Sequence, residues 1–152
     1  MSNPKVFIEN LNTAQTLLGL DFGDKTIGIA VSDKSLTIAS PIKTIRRKSI
    51  SKDLIELFDL IEVYNVGGLI FGLPLSLNGE ENKRTEKVRK FVNSIELEKN
   101  IKITYFDERF SSDVIFKELR KNHYSISKIK KKLDQQAAAY ILQGFLDYSK
   151  QK

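Results

Sequence analysis

Three carboxylates stand where strands and a helix could deliver them to one point. Asp21 ends the apolar run Thr16-Leu17-Leu18-Gly19-Leu20, Glu108 follows the run from Ile101 to Phe106, and Asp134 heads a helical stripe of Ala137, Ala138, Ile141, Leu142 and Phe145. Carboxylates brought together from distant parts of a chain hold hard divalent cations such as Mg²⁺ or Mn²⁺. Ions held this way activate water and neutralise both the attacking and the leaving oxygen of a displacement at phosphorus. Phosphodiester hydrolysis is the chemistry that fits. The chain has no cysteine, and His123 is its one histidine. That excludes disulfides, thiolate zinc sites, cysteine nucleophiles and sites built on several imidazoles. His123 lies in the polar stretch Lys121-Asn122-His123-Tyr124-Ser125 and reads as a loop residue rather than a member of a serine triad.

Each acid also has a quieter reading. Asp21 and Asp24 flank Gly23 as turn residues would. Asp107 and Glu108 could be the solvated end of a strand with Arg109 as ion partner. Asp134 could cap a helix, although Ser127 offers a competing start upstream. An ionised carboxylate at the head of a stripe that packs on a sheet is costly unless a cation, a hydrogen-bond partner or exposure compensates it.

Positive charge fits a polyanionic partner. Lys plus Arg number 25 against 19 Asp plus Glu, so 25 − 19 = +6, with a pI near 9.4. One cluster is Lys43, Arg46, Arg47 and Lys48; another is Lys128, Lys130, Lys131 and Lys132, just before Asp134. A basic helix start adds its amides and dipole to the lysine charge as a phosphate cradle. Ordinary solubilising lysine is the alternative for either cluster. The loop from Gly72 to Gly79 lacks the lysine of a nucleotide-binding loop. Beside Lys83, Arg84 and Lys87, it reads either as a lid over substrate or as a connection packed by Leu75 and Leu77.

The elements that must position these groups are legible in outline. After a polar arm over residues 1–15, residues 16–21 and 26–31 read as a hairpin and 37–45 as a third strand. Apolar Leu54, Ile55, Leu57, Phe58 and Ile61 place a helix over 49–64. A strand over 66–71, a helix over 83–98, a strand over 101–106 and helices over about 111–121 and 128–148 follow. The order β-β-β-α-β-α-β-α-α predicts an α/β fold, a mixed five-stranded sheet with three antiparallel strands, then parallel strands, flanked by helices. Such sheets gather chemistry at the carboxyl ends of their parallel strands. The length of 152 residues suits a single domain. The first residues show no continuous hydrophobic stretch, and the uncharged run from Val66 to Asn78 is broken by three glycines and a proline. A cytoplasmic protein with no membrane partner, monomeric or weakly homodimeric, is expected.

Four segments carry a family resemblance: Gly19-Leu20-Asp21-Phe22-Gly23 continuing to Ile27-Gly28-Ile29-Ala30-Val31-Ser32-Asp33; Gly72-Leu73-Pro74 with Asn78-Gly79; Asp107-Glu108-Arg109-Phe110-Ser111-Ser112; and Lys131-Lys132-Leu133-Asp134-Gln135 with Ala137-Ala138 and Ile141-Leu142-Gln143. In this order they resemble the YqgF (RuvX-like) family, regarded as Holliday junction resolvases and as pre-16S rRNA nucleases. The resemblance implies an RNase H-like fold, Asp21, Glu108 and Asp134 as catalytic and metal-binding positions, and 5′-end processing of pre-16S rRNA. With it, Lys25, Arg84, Arg109, Lys131 and Lys132 are expected to grip substrate phosphates, and Mg²⁺ or Mn²⁺ to be the cofactor. The chain departs from the family in having Thr26 after Lys25, where a basic pair is usual. Branched DNA is the rival substrate, and an RNA-binding assembly protein with vestigial carboxylates the rival class. A phosphotransferase of the actin-like ATPase type needs a second domain, for which this length has no room.

Overall fold

The two-residue period of β1 (Thr16–Phe22) sends Leu18, Leu20 and Phe22 to one side of a sheet and Leu17, Gly19 and Asp21 to the other. The computed structural model describes residues 3–108 and 120–150, without the side chains of residues 130–135. β1 pairs antiparallel with β2 (Thr26–Ser32), which pairs antiparallel with β3 (Ala39–Arg46). On its other side β1 pairs parallel with β4 (Val66–Leu73), and β4 parallel with β5 (Lys102–Asp107). The five strands lie in the order β3-β2-β1-β4-β5, the predicted mixed sheet.

Helix α2 (Ile50–Val63) is capped by Ser49, whose Oγ accepts from the Lys52 amide, and α3 (Lys83–Glu98) by a reciprocal box between Asn82 and Thr85. Both cover one face. Leu54, Leu57 and Ile61 of α2 and Val88, Phe91, Val92 and Ile95 of α3 close over Leu18, Leu20, Leu69 and Phe71. Each leucine or phenylalanine buried there contributes about 1.5–3 kcal/mol. Ile55, expected on this stripe, points outward and is 62% exposed.

The opposite face belongs to helix α4 (Ile126–Ser149), whose Ala138, Ile141, Leu142, Phe145 and Leu146 are buried with Leu17, Ala30, Ile70 and Phe106. Its cap is Ser125, accepting from the Lys128 amide, so Asp134 lies about two turns inside the helix and is not a cap. The stretch expected as a polar arm contains a short helix, α1 (Pro4–Glu9). Asn3 caps it, Pro4 opens it, and its Phe7 meets Phe145 edge to face at 5.7 Å. The helix expected over about 111–121 falls outside the described residues for positions 111–119. Among the described residues no helix is long and apolar enough to cross a membrane.

Candidate functional site

The α4 face is floored with glycine. A Cβ at Gly19 of β1 would stand 2.6 Å from the Leu142 Cβ and 2.7 Å from the Ala138 carbonyl oxygen, so α4 can lie this close only over a bare backbone. Gly28 of β2, the register partner of Asp21, lies beneath Ala138: its Cβ would be 3.7 Å from those of both Ala138 and Asp21. The same strand parity that buries Leu17 therefore puts the Asp21 carboxylate on the α4 side, at the carboxyl end of β1.

Glu108 reaches that edge from β5. Phe106 faces α4, so Glu108, two residues on, points the same way, while its amide donates to the Leu73 carbonyl (3.2 Å). Its side chain folds over Gly72 of β4. A Cβ at Gly72 would be 2.6 Å from the Glu108 Oε1 and would collide with Ile141. Gly72 follows the Leu20–Phe71 pair in register, so it is level with Asp21. The absent side chain thus opens the path along which two carboxylates from β1 and β5 approach each other.

That approach shows in the electrostatics. Burial pushes the Glu108 carboxyl up to about 7 from its ordinary 4.5; the Asp21 charge adds to the rise, Arg84 opposes it and Asp107 adds further. The expectation of a merely solvated strand end fails here, since Asp107 is buried and Glu108 is mostly covered. A pair of oxygen donors whose mutual repulsion is unfavourable in a poorly hydrated spot fits a hard divalent cation. Among the described residues, no three His, Cys, Asp or Glu side chains gather as a ligand set. Asp134, expected as the third, is placed only by its helix: it lies one turn before Ala138 on the same stripe, and its side chain is outside the described residues.

The expected phosphate-gripping residues divide. Arg84, near the start of α3, lines a cleft of about 140 Å³ with Phe22, Gly23, Asp24 and Lys87, and its charge acts on both Glu108 and Asp24. Lys25 is exposed on the β1–β2 turn. Arg109 and the side chains of Lys131 and Lys132 lie outside the described residues. Lys87, outside the expected set, ties α3 to the turn through Asp24 (2.9 Å) and holds that carboxyl below the usual range.

The cluster from Lys43 to Lys48 is less available than its composition suggests. Lys43 and Lys48 flank Glu56 at 3.8 and 3.7 Å. Arg47 turns inward to Asp53, and Asp53 in the first turn of α2 was the sequence signal for it. In the loop after β4 Leu75 is half-buried, whereas Leu77, expected to pack a connection, is 94% exposed. Asn82 ties the loop down, donating from Nδ2 to the Pro74 carbonyl (2.9 Å) and to Ser76 Oγ (3.0 Å).

Comparisons with known proteins agree with this architecture. The family model described as "RuvX: Holliday junction resolvase" matches residues 15–148. A protein of Paramagnetospirillum magneticum named "Putative pre-16S rRNA nuclease" is 41% identical over 144 residues, 95% of this chain and 93% of that one. A protein of the same name from Methylocella silvestris is 42% identical over 133 residues, 88% of this chain and 83% of its own. Among solved structures, the yeast mitochondrial Holliday junction resolvase Ydc2 aligns with a TM-score of 0.54 at 12% identity, covering 96% of this chain and 84% of that one. Thermus thermophilus RuvC aligns with the same TM-score at 8% identity, covering 88% and 94%. Those two likenesses are of fold, and they bear out the expected RNase H-like sheet. With four-fifths or more of its length matched by the family model and by relatives at this identity, the chain belongs to the RuvX (YqgF) family.

Proposed function

We propose that this chain is a metal-dependent nuclease that hydrolyses phosphodiester bonds in 5′-end processing of pre-16S rRNA, acting in the cytoplasm. In this reading Asp21, Glu108 and Asp134 hold Mg²⁺ or Mn²⁺. The observation that carries it is the Glu108 carboxyl, folded over Gly72 into a covered position where the Asp21 charge repels it. Such a pair is stabilised by a cation and is costly without one. When bound, the ion supplies activation of water and neutralisation of charge on the phosphate oxygens. Arg84, already drawing on the charge of Glu108, is suited to hold a substrate phosphate beside the carboxylates, and Lys25 to meet the strand from the exposed turn. Arg109, Lys131 and Lys132 complete the grip. The name carried by the relatives at about 40% identity supports RNA over DNA as substrate.

The test is cleavage by the purified protein of a 5′-extended 16S precursor and of a four-way DNA junction, with Mg²⁺, with Mn²⁺ and with chelator. The precursor is expected to be cut only with metal. Asp21→Asn should keep RNA binding and lose more than about 100-fold in cleavage, the upper end for residues that merely support a metal ligand. Cleavage unchanged by chelator or by Asp21→Asn overturns the reading. Preference for the junction moves the substrate to branched DNA, and binding without cleavage makes the chain an assembly factor.

A further inference from the structure

We infer that Arg47, oriented by Asp53, is a positioning residue for the Asp21 carboxylate, acting through the turn that follows it; this rests on the reading of Asp21 as a metal ligand. Three contacts of one guanidinium converge there. Its Nε meets Asp53 Oδ2 at 3.3 Å, its Nη1 donates to the Gly23 carbonyl at 3.3 Å, and its Cζ lies over the Phe22 ring, 4.4 Å from the centre. The other neighbour of that ring is Phe91 of α3, at 4.7 Å between centroids. Phe22 and Gly23 are the two residues immediately after Asp21. Arg47 also lies 6.0 Å from the centre of the Phe91 ring, so guanidinium and both rings form one three-way cluster, and with the next carbonyl held by the same guanidinium the backbone carrying Asp21 has little freedom to rotate.

The guanidinium is itself anchored. Asp53 is 1% exposed, and its second oxygen accepts from the Lys48 amide at 3.0 Å. The Arg47 amide donates to the Lys25 carbonyl at 3.0 Å, fastening the far side of the same turn, and the Gly23 amide donates to the Thr26 carbonyl at 2.9 Å. Nearly all of this lies on the α2–α3 side, opposite the carboxylate. Arg47 therefore acts on Asp21 from behind the sheet, as the groups behind a metal ligand do when they fix its orientation. Lysine cannot replace it, because one ammonium cannot pair with Asp53, reach the Gly23 carbonyl and cover the Phe22 ring together.

Arg47→Lys keeps the charge and the ion pair and breaks the contacts with the Gly23 carbonyl and the Phe22 ring. Hydrogen exchange of the turn amides, read on the metal-free protein, is expected to quicken at Gly23 by roughly 10-fold. The Mn²⁺ concentration at half-saturation, read by calorimetry with the metal alone, should rise by roughly 10-fold. In cleavage kcat should fall while KM for RNA stays put, and Lys90→Ala, at an exposed position of α3, should leave all three readings at the wild-type value. If Arg47→Lys does not fold, Asp53→Asn carries the same three readings with smaller changes in the same direction. Unchanged Gly23 exchange and Mn²⁺ affinity overturn the inference, as does a raised KM with constant kcat, which is the mark of a phosphate contact. A wild-type protein that neither binds Mn²⁺ nor cleaves RNA sinks the nuclease reading instead, while the exchange measurement still decides whether Arg47 orders the turn.

Discussion

The two faces of the sheet are built on opposite principles. Under α2 and α3, large side chains fill the space between layers, and Phe71, Phe91, Leu54, Leu57 and Leu69 are all but fully buried. Under α4, the sheet offers Gly19, Gly28 and Gly72, and the helix answers with Ala138 and Ala139. The first face derives its stability from volume. The second also buries Leu17, Ile70, Leu142 and Phe145, but gives up volume for closeness where α4 crosses the glycines, and the room left at its carboxyl edge holds Asp21 and Glu108. One side of the sheet is thus mainly a foundation, while the other brings a helix close to charged groups that a thicker layer would keep apart.

Substitutions that respect or cross this division should separate stability from chemistry. The largest effect on stability is expected on the foundation side: Leu57→Ala should cost about 2–5 kcal/mol in denaturant unfolding. Mn²⁺ affinity of the folded fraction should stay unchanged. On the glycine side, Gly72→Ala should cost about 1–3 kcal/mol, because the new Cβ meets Ile141 and the Glu108 carboxyl. Mn²⁺ affinity should fall with it, and equal losses of affinity in both variants would erase the distinction between the faces.

The repelled carboxyl gives the next effect. Glu108 has an unfolded value near 4.5 and a native value of about 7, so the native state holds its proton more tightly. Its favourable contribution is complete below about pH 4.5 and is lost as pH rises through about 7, a span on the order of 1–3 kcal/mol. Glu108→Gln should flatten this slope in unfolding curves of the metal-free protein, and Mg²⁺ should offset it in the wild type. A wild-type slope unchanged by Glu108→Gln would assign it to another group. The smallest effect is expected at Lys87→Ala: the pair with Asp24 has both side chains largely in solvent, and no measurable change in thermal midpoint should follow.

Most of the sheet was legible in the sequence because alternation and turn residues are local. β1, β2 and the helix from Lys83 to Glu98 appear nearly where expected. α1 escaped because six residues carry too little periodicity; its signals were the Asn3-Pro4 start and a lone Phe7, whose seat above Gly68 and against Phe145 is made by distant residues. Asp21 and Glu108 were legible as strand-end acids. That they could meet was legible too; the route by which they do, across a bare Gly72 level with Asp21 in register, was not. Arg47 read as one more surface cation because the partner that draws it inward, Asp53, belongs to the next element and its burial is a tertiary fact.

The parity of β1 has a consequence for how this sequence can vary. Leu20 and Asp21 are adjacent in the chain yet belong to different compartments, one greasy and one charged. A single inserted or deleted residue between Thr16 and Asp21 would exchange them, driving an anion among phenylalanines and turning a leucine toward the acidic edge. A one-residue change in length is therefore tolerable here only where a bulge takes it up, as the ladder between β1 and β4 already does opposite Thr16 and Leu17, where Gly67 has no register partner.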